Sequence, residues 1–282
     1  MPNAEPTHRE NLRVAAIQMV SSRDQETNLA TAERLLTEAH RAGVEMAVLP
    51  ENFVAYGNRH RPSIESQEHF LGTFADLAKQ LNLWIVAGTY PLSIPPATDS
   101  TANQTSKPQA VTVVFDNNGQ IRCHYAKIHL FDVDVSDSQK RYRESDDFLH
   151  GDHPVTFDSP WGGIGLSVCY DLRFAELYIE LVKRGAGVMV VPSAFVETTG
   201  RDHWEILLRA RAIECQCFVV ASNQGGHHGG KLRTWGESMI IDPWGRVLQR
   251  IDKGEGLVVA DIDLSSLATI RARMPIAQHR RL

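Results

Sequence analysis

Long apolar runs and cysteines are both scarce in this sequence. No segment reaches the roughly 20 apolar residues that a membrane-spanning helix needs, so no membrane span is indicated. The 282 residues include only four cysteines, and residues 1–11 lack the apolar core of a secretory signal. These features exclude a small disulfide-stabilised scaffold and predict a soluble protein of a reducing compartment, the cytoplasm.

Charge of one sign is not concentrated anywhere in the chain. The sequence has 29 Lys and Arg residues against 34 Asp and Glu residues, which gives a formal net charge of −5. The two signs are interspersed, and there is no basic stripe. Neither nucleic acid nor an anionic membrane is therefore indicated as a partner.

Clusters with metal-ligand spacing are also missing from the sequence. His150 and His153 flank Asp152, but no further Cys or His lies nearby to complete a zinc site. Cys215 and Cys217 form a CxC pair without a second pair, which favours structural thiols over metal ligands. We therefore expect neither a metal nor a cofactor.

The sequence does contain a regular alternation of strand and helix patterns. The apolar run 12–20 predicts a strand, and apolar residues at helical spacing within 28–42 predict the helix that follows it. Another strand is predicted over 83–90. Because this alternation continues to the end of the chain, we predict a single α/β domain over residues 12–282, preceded by a flexible extension of residues 1–11.

Three stretches have loop composition. Residues 92–109 are rich in Pro, Ser, Thr and Asn, which indicates a surface excursion. Residues 132–152 form a long irregular stretch of the kind that covers a site or is disordered. A Gly-rich loop carries His227 and His228, where a mobile rim is favoured over metal ligation.

Cys169 falls on a tight turn between an apolar run and a helix predicted over 174–184. A thiol on a strand-to-helix turn is well placed to act as a nucleophile. A helix N-terminus and nearby cationic or basic groups both raise the thiolate fraction of such a thiol. The alternative is that Cys169 is a buried small apolar residue.

Two further candidates lie at the ends of predicted strands, where ligands bind in open α/β sheets. Glu51 follows one strand, and Lys127 follows the second strand of a predicted hairpin. Taken singly, Glu51 is equally a solvated loop residue, and Lys127 an edge residue with its amine in water. Amide hydrolysis through a thioester needs a nucleophile, a base and a cation for the oxyanion. Cys169, Glu51 and Lys127 supply one of each.

Three segments surround these residues: 49–52 (LPEN), 125–130 (YAKIHL) and 168–174 (VCYDLRF). In this order they resemble the three catalytic motifs of the nitrilase (carbon–nitrogen hydrolase) superfamily. The likeness continues to the C-terminus and includes residues 209–214 and 242–245. The resemblance implies a four-layer αββα sandwich, which pairs across one helical layer to form a homodimer or a higher homo-oligomer.

The resemblance also implies a role for each residue of a Glu-Lys-Cys triad. Glu51 acts as the general base, and Cys169 forms the thioester. Lys127 stabilises the oxyanion together with the backbone N–H of Tyr170. Water and a small-molecule amide are the implied partners.

Two positions are less regular with respect to the family pattern. Glu144 corresponds to a second glutamate that orients the lysine and the substrate, with Asp146 or Asp147 as the alternatives. Glu237 stands where close relatives usually carry His. We therefore expect the substrate rim or a subunit contact to differ there.

The residues around Lys127 and the helix over 210–217 are most similar to the Nit-type amidases, whose members include deaminated-glutathione amidase and ω-amidase. This resemblance favours deaminated glutathione as the substrate. Arg173 is predicted to clamp a substrate carboxylate, and the alternative is an ion pair with Glu176 or Glu51. Other functions left open are an ω-amidase acting on 2-oxoglutaramate, a nitrilase or N-carbamoyl hydrolase with the same triad, and a non-catalytic interaction module.

Overall fold

The computed structural model describes residues 8–57, 61–93, 107–135 and 141–281. Most of the surface excursion predicted over 92–109 lies outside the described residues. Within these ranges the strands are β1 (Asn11–Gln18), β2 (Met46–Val48), β3 (Trp84–Leu92), β4 (Gln109–Phe115), β5 (Ile121–Ala126), β6 (Asp132–Asp134), β7 (Arg141–Arg143), β8 (Thr156–Ser159), β9 (Gly162–Leu166), β10 (Ala186–Ser193), β11 (Phe218–Asn223), β12 (Met239–Ile241), β13 (Val247–Arg250) and β14 (Gly256–Asp263). The helices are α1 (Gln25–Arg41), α2 (Ile64–Gln80), α3 (Ala175–Lys183), α4 (Glu197–Cys215), α5 (Ser265–Arg273) and α6 (Ile276–His279), with 3-10 turns at Glu144–Asp146 and Cys169–Arg173. None of the helices in this part of the chain combines the length and apolar character that a membrane crossing requires.

The larger strands form two six-stranded sheets. The first sheet has the order β14-β1-β2-β3-β4-β5, and the second has the order β13-β12-β11-β10-β9-β8. Strands β1, β2 and β3 are parallel, as are β9, β10 and β11. Parallel neighbours need crossover connections, and α1, α2, α3 and α4 supply them. The predicted alternation of strands and helices reflects these crossovers.

Side-chain alternation along β1 shows how the layers are stacked. Ala15 and Ile17 pack in a core with the apolar sides of α1 and α2, whereas Val14 and Ala16 belong to the core shared with the second sheet. Successive strand residues point to opposite faces, so both faces of this sheet are covered. The second sheet carries α3 and α4, whose buried residues include Trp204. The protein is a four-layer αββα sandwich, which confirms the predicted fold class.

The two sheets are also joined by polar contacts near the ends of their central strands. The hydroxyl of Ser222 on β11 donates to the carbonyl of Ile17 on β1. Met19 and Gln224, just past these strands, form an isolated parallel bridge. Residues that follow the central strands of different sheets are thereby brought to a common region.

Element boundaries differ from the prediction where capping or backbone conformation decides them. Helix α1 begins before residue 28 because Asp24 caps it and accepts a hydrogen bond from the N–H of Glu26. Strand β12 begins only at Met239, because Gly236 and Glu237 before it have positive φ angles.

The described part of the N-terminal extension is attached to the sandwich. Arg9 forms an ion pair with Glu45, and its guanidinium lies 5.4 Å from the ring centroid of Trp161. Asn11 is already the first residue of β1. Residues 9–11 are therefore in contact with the sandwich, and the flexibility predicted for the extension 1–11 as a whole stays a prediction.

Candidate active site

The three residues predicted from strand ends and the turn meet in one cavity of about 800 Å³. Glu51, Lys127 and Cys169 all line it, and Lys127 is only 1% exposed. The ammonium of Lys127 donates to Glu51 Oε1 at 2.7 Å, and the Cys169 thiol lines the same cavity, where Glu51 raises the pKa of the thiol. The fold therefore collects a thiol, a carboxylate and an ammonium in one buried cluster.

Glu51 is held by groups from both sheets. The carbonyl of Pro50 lies so close to Gly88 on β3 that a Cβ at position 88 would be 1.9 Å from its oxygen. The backbone N–H of Ala194, just past β10, donates to Glu51 Oε2 at 2.9 Å. Gln224 donates to the carbonyl of Glu51 at 3.0 Å. Ala194 was not predicted as a site residue, because any non-proline residue can supply a backbone donor and the side chain does not mark it.

Lys127 lies between two carboxylates. Its Nζ is 2.8 Å from Glu144 Oε2, which also accepts the N–H of Phe131 at 2.7 Å. Burial opposes the charge on Lys127, but Glu144 and Glu51 outweigh it, so the pKa of Lys127 is well above its usual value. Burial raises the pKa of Glu144, Lys127 opposes that rise, and Glu51 adds to it. Lys127 therefore remains charged at neutral pH.

Glu144 directly follows β7, which pairs with β6, and it is the first residue of the 3-10 turn Glu144–Asp146. Phe131, Tyr142 and Phe148 from the same region also line the cavity. The described parts of the stretch 132–152, residues 132–135 and 141–152, thus cover the site, as predicted, and the pairing of β6 with β7 gives them regular structure. Since Glu144 contacts Lys127 directly, the alternatives at positions 146 and 147 are not needed.

Cys169 has a left-handed backbone conformation with φ of +47°, which is uncommon for a residue other than glycine. Burial raises the pKa of the Cys169 thiol well above its usual value, and Glu51 adds to this, while Lys127 and the N–H of Ala194 oppose it. Desolvation and the adjacent carboxylate thus outweigh the nearby cation, so attack by this thiol requires a base that accepts its proton.

Tyr170 follows the nucleophile in the same 3-10 turn. The first internal hydrogen bond of the turn runs from the N–H of Asp171 to the carbonyl of Val168 at 2.9 Å. The N–H of Tyr170 therefore lies outside the hydrogen bonding of the turn itself. Its ring lines the cavity and packs edge-on against Phe131 and Phe174, with ring centroids 5.1 and 5.4 Å away.

Arg173 ends this turn and also lines the cavity. Its guanidinium lies 5.3 Å from the ring centroid of Phe195, and Nη1 is 3.3 Å from His203 Nδ1. The alternative ion pair with Glu176 or Glu51 is not formed in the part of the chain that the structure describes. Arg173 is thus a cavity-lining cation without a carboxylate partner among these residues.

Two other positions differ from expectation. His228 lines the cavity but is buried, with Nδ1 2.7 Å from the carbonyl of Ser21 and Nε2 2.6 Å from Thr234 Oγ1. These contacts hold the ring, so the prediction of a mobile rim is wrong there. Glu237 does not line the cavity, and its carbonyl accepts a hydrogen bond from Trp204 at 2.8 Å. The expected change in the substrate rim is therefore not found at Glu237.

The other metal-ligand candidates are separated from the cavity. Across the described ranges, no group of three or more His, Cys, Asp or Glu side chains is arranged to hold a metal ion. Cys215 and Cys217 are buried free thiols. Asp152 and His153 form an exposed pair at 3.6 Å.

Similarity to known proteins extends over nearly the whole chain. A family model described as carbon-nitrogen hydrolase matches residues 13–272. The chain belongs to the carbon-nitrogen hydrolase family. It is a hydrolase of carbon–nitrogen bonds other than peptide bonds, which confirms the family and the enzyme class expected from the three motifs.

Individual relatives agree with this assignment. A protein of Yersinia enterocolitica named deaminated glutathione amidase is 36% identical over 275 residues, which cover 96% of this chain and 93% of that protein. A protein of the same name from Synechocystis sp. is 40% identical over 274 residues, covering 94% and 97%.

Two solved structures of family relatives share the fold. The NitFhit protein of C. elegans has a TM-score of 0.86 at 35% identity, covering 98% of this chain, which spans 66% of that longer protein. Saccharomyces cerevisiae Nit3, described as a member of branch 10 of the nitrilase superfamily, has a TM-score of 0.80 at 26% identity and covers 99% of this chain and 100% of its own.

Proposed function

We propose that the protein is a cysteine-dependent amidase that hydrolyses deaminated glutathione, a small carboxylate-bearing amide, through a thioester intermediate. The observation that carries this proposal is the buried contact of Lys127 with Glu51 beside Cys169 in one cavity. A nucleophile that shares one cavity with a base and a fixed cation supplies the groups that acyl transfer needs. Under this proposal these three residues are catalytic.

Acylation begins when Cys169 transfers its proton to Glu51 and its sulfur attacks the amide carbonyl. The raised pKa of the thiol is the reason that this step needs a base. Lys127 and the N–H of Tyr170 stabilise the oxyanion, and one such donor is typically worth about 3 to 4 kcal/mol. When the tetrahedral intermediate collapses, the C–N bond breaks and Glu51 returns the proton to the departing amine. The acyl group remains on the sulfur as a thioester.

Deacylation uses the same groups with water as the nucleophile. Glu51 takes a proton from water as the oxygen attacks the thioester carbonyl, and the same donors stabilise the second oxyanion. The C–S bond then breaks, and the proton returns to the sulfur of Cys169. Glu144 orients Lys127 through its two contacts of 2.8 and 3.1 Å with the ammonium.

The charge of Arg173 supports a substrate with a carboxylate. A guanidinium can bind a carboxylate through two parallel N–H donors. Arg173 lines the same cavity as Cys169, and no carboxylate of the described residues pairs with it. A substrate carboxylate would supply the missing negative charge.

The size and lining of the cavity favour deaminated glutathione over 2-oxoglutaramate. Arg23, Arg141 and Lys231 come from three separate segments and line the cavity in addition to Arg173. Deaminated glutathione carries a carboxylate at each end, whereas the ω-amidase substrate is shorter and carries only one. Two relatives that match over nearly their full length are named for the longer substrate.

A substrate panel tests the proposal. The panel contains deaminated glutathione, 2-oxoglutaramate, an aliphatic nitrile and an N-carbamoyl amino acid, and the released amine or ammonia is measured. We expect the highest kcat/KM with deaminated glutathione, no turnover by Cys169→Ala, and full turnover by the control Cys215→Ala, whose thiol is buried outside the cavity lining.

Each other outcome of the panel points to a different function. Preferred release of ammonia from 2-oxoglutaramate would identify an ω-amidase. Preference for the nitrile or the carbamoyl compound would show that the same triad hydrolyses a different carbon–nitrogen bond. Absence of turnover on every compound would indicate a non-catalytic interaction module, and turnover by Cys169→Ala would contradict the assignment of the nucleophile.

We also propose a homodimer that pairs across the layer of α3 and α4. Ile206 and Ile213 on α4 and the nearby Trp244 are 69%, 44% and 56% exposed, which supports a further contact on this face. Light scattering of the wild type and of Ile206→Glu tests the proposal, since a monomeric wild type would contradict it.

Three further statements also remain proposals. They are a single domain over 12–282, a cytoplasmic location, and the lack of nucleic-acid and membrane partners.

A further inference from the structure

We infer that Asp171 is a positioning residue that couples the nucleophile turn to the segment carrying Lys127. Asp171 lies two residues after Cys169 and is fully buried, with 0% of its surface exposed. It is absent from the lining of the cavity, so it acts through other residues and touches no reacting atom. The inference rests on the proposed roles of Cys169 and Lys127.

The carboxylate of Asp171 is surrounded by hydrogen-bond donors. Oδ1 accepts the backbone N–H of His129 at 3.0 Å and lies 2.7 Å from His129 Nδ1. Oδ2 accepts the backbone N–H of Val168 at 2.8 Å and the hydroxyl of Tyr125 at 2.7 Å. Each oxygen therefore contacts one backbone group and one side chain.

The positions of these donors join two parts of the site. Tyr125 and His129 lie two residues before and two residues after Lys127, whereas Val168 directly precedes Cys169. Strand β5 leads to Lys127 in the first sheet, and β9 leads to Cys169 in the second sheet. The carboxylate of Asp171 thus holds together the lysine segment of one sheet and the nucleophile turn of the other.

The nucleophile turn needs such support. A non-glycine residue in a left-handed conformation, as at Cys169, is strained and persists only where the surroundings impose it. On its other side the turn is held by Arg211, whose guanidinium donates to the carbonyl of Leu172 at 2.7 and 3.0 Å. Asp171 alone connects this turn to both flanks of Lys127 in the contacts of the described residues.

The position of Cys169 relative to Lys127 affects the rate of the step that forms the oxyanion. Oxyanion stabilisation depends on the distance between the donors and the carbonyl oxygen bound to the sulfur. A displacement of about 1 Å can lower the rate of such a step by about 100-fold. Loss of Asp171 should therefore lower kcat by displacing Cys169 relative to Lys127, while the cavity that binds the substrate remains.

Asp171→Asn is the primary test. Because each carboxylate oxygen faces a backbone N–H, the amide NH₂ of asparagine must face one of those donors in either orientation. We expect kcat on deaminated glutathione to fall by about 100-fold, with KM changed by no more than about threefold. A kcat within about threefold of the wild type would overturn the inference.

A matched control separates positioning from general loss of stability. Ser159 is the buried last residue of β8 and pairs with the first residue of β9, at the end of that strand away from Cys169. Its hydroxyl donates to the carbonyl of Gly162 at 2.7 Å and accepts the N–H of Trp161 at 3.1 Å. Ser159→Ala should lower the melting temperature and leave kcat unchanged. If both variants lost kcat in proportion to their loss of melting temperature, Asp171 would be a structural residue only, and the inference would be wrong.

A milder variant keeps the inference testable if Asp171→Asn does not fold. Tyr125→Phe removes one of the four contacts and retains the buried ring. It should lower kcat by about threefold to tenfold at unchanged KM, and an unchanged kcat would overturn the inference. Activity in Cys169→Ala would instead contradict the proposed function, so the two failures are distinguishable.

Discussion

Lys127 is held by carboxylates on two sides, which makes it the residue whose charge matters most to the proposed reaction. Lys127→Met keeps much of the side-chain length and removes the ammonium. We expect kcat to fall by about 100-fold or more, because the donor acts mainly on the oxyanion of the transition state. Steady-state kinetics on deaminated glutathione measures the change.

The matched control for this lysine is Lys183→Met on α3, where the side chain is 65% exposed and pairs with Glu180. That variant should retain full activity. A raised KM with unchanged kcat in Lys127→Met would instead assign Lys127 to binding of the ground state.

Arg173 permits a test of substrate recognition at a single side chain. Arg173→Lys keeps a positive charge but loses the fork geometry that binds a carboxylate through two donors. We expect kcat/KM to fall by about tenfold or more on the acid and to change little on its neutral ester. Steady-state kinetics on the acid and, in separate reactions, on the ester measure the two kcat/KM values.

Arg201→Lys is the control for this substitution, because Arg201 is 65% exposed on α4 and pairs with its neighbour Asp202. Arg201→Lys should leave kcat/KM unchanged on both the acid and the ester. Equal losses on acid and ester in Arg173→Lys would show that Arg173 supports the structure of the site and does not bind the carboxylate.

Strand β3 shows how one element controls a site residue that it does not carry. A Cβ at Gly88 would lie 1.9 Å from the carbonyl oxygen of Pro50, which directly precedes Glu51. Gly88→Ala must therefore displace this segment, and we expect the free energy of unfolding to fall by about 1 to 3 kcal/mol, together with a loss of kcat. Urea unfolding and steady-state kinetics measure the two effects.

Helix α2 packs on the sheet that contains β3 and carries a glycine at which an added side chain has room. No atom lies within 4 Å of a Cβ built at Gly72, and glycine is unfavourable inside a helix. Gly72→Ala should raise the free energy of unfolding by about 0.5 to 1 kcal/mol and leave kcat unchanged. Equal stabilities of the two alanine variants would contradict the steric argument at Gly88.

The whole molecule should lose stability at alkaline pH. Burial raises the pKa of the Cys169 and Tyr125 groups well above their usual values, and it raises the pKa of Cys123 from 9.0 to about 12 against the opposing charge of Arg122. In the unfolded chain these groups release protons that the folded chain retains. Their contribution is therefore fully present below pH 9.0, the usual thiol pKa, and is lost as the pH rises above it.

Each such group lowers the free energy of unfolding by about 1.4 kcal/mol per pH unit in this range. Urea unfolding between neutral pH and about pH 11 measures the slope. Cys123→Ala should show a shallower slope than the wild type, because one of the contributing thiols is gone. A stability that stays constant above pH 9.0, or an unchanged slope in Cys123→Ala, would contradict the prediction.

Much of the architecture could be predicted because its signals are local. The periodicities of strands and helices lie within short windows of sequence, so the crossover pattern around β1 to β3 and β9 to β11 was visible. The positions of Glu51 and Lys127 at strand ends, and of Cys169 on a turn, followed from the same windows. The layer order came from the family resemblance, since local patterns do not say which sheet faces pack together.

By itself, the sequence determined the elements, the order of the motifs and the residue types that carry the chemistry. Only the tertiary structure decided that Lys127 contacts residues 76 positions before it and 17 positions after it, and that Ala194 and Asp171 support them. It also decided that burial and Glu51 outweigh Lys127 in their effects on the pKa of the Cys169 thiol. The physical reason is that desolvation and through-space charge depend on which distant segments surround a group, and local patterns along the chain do not contain that information.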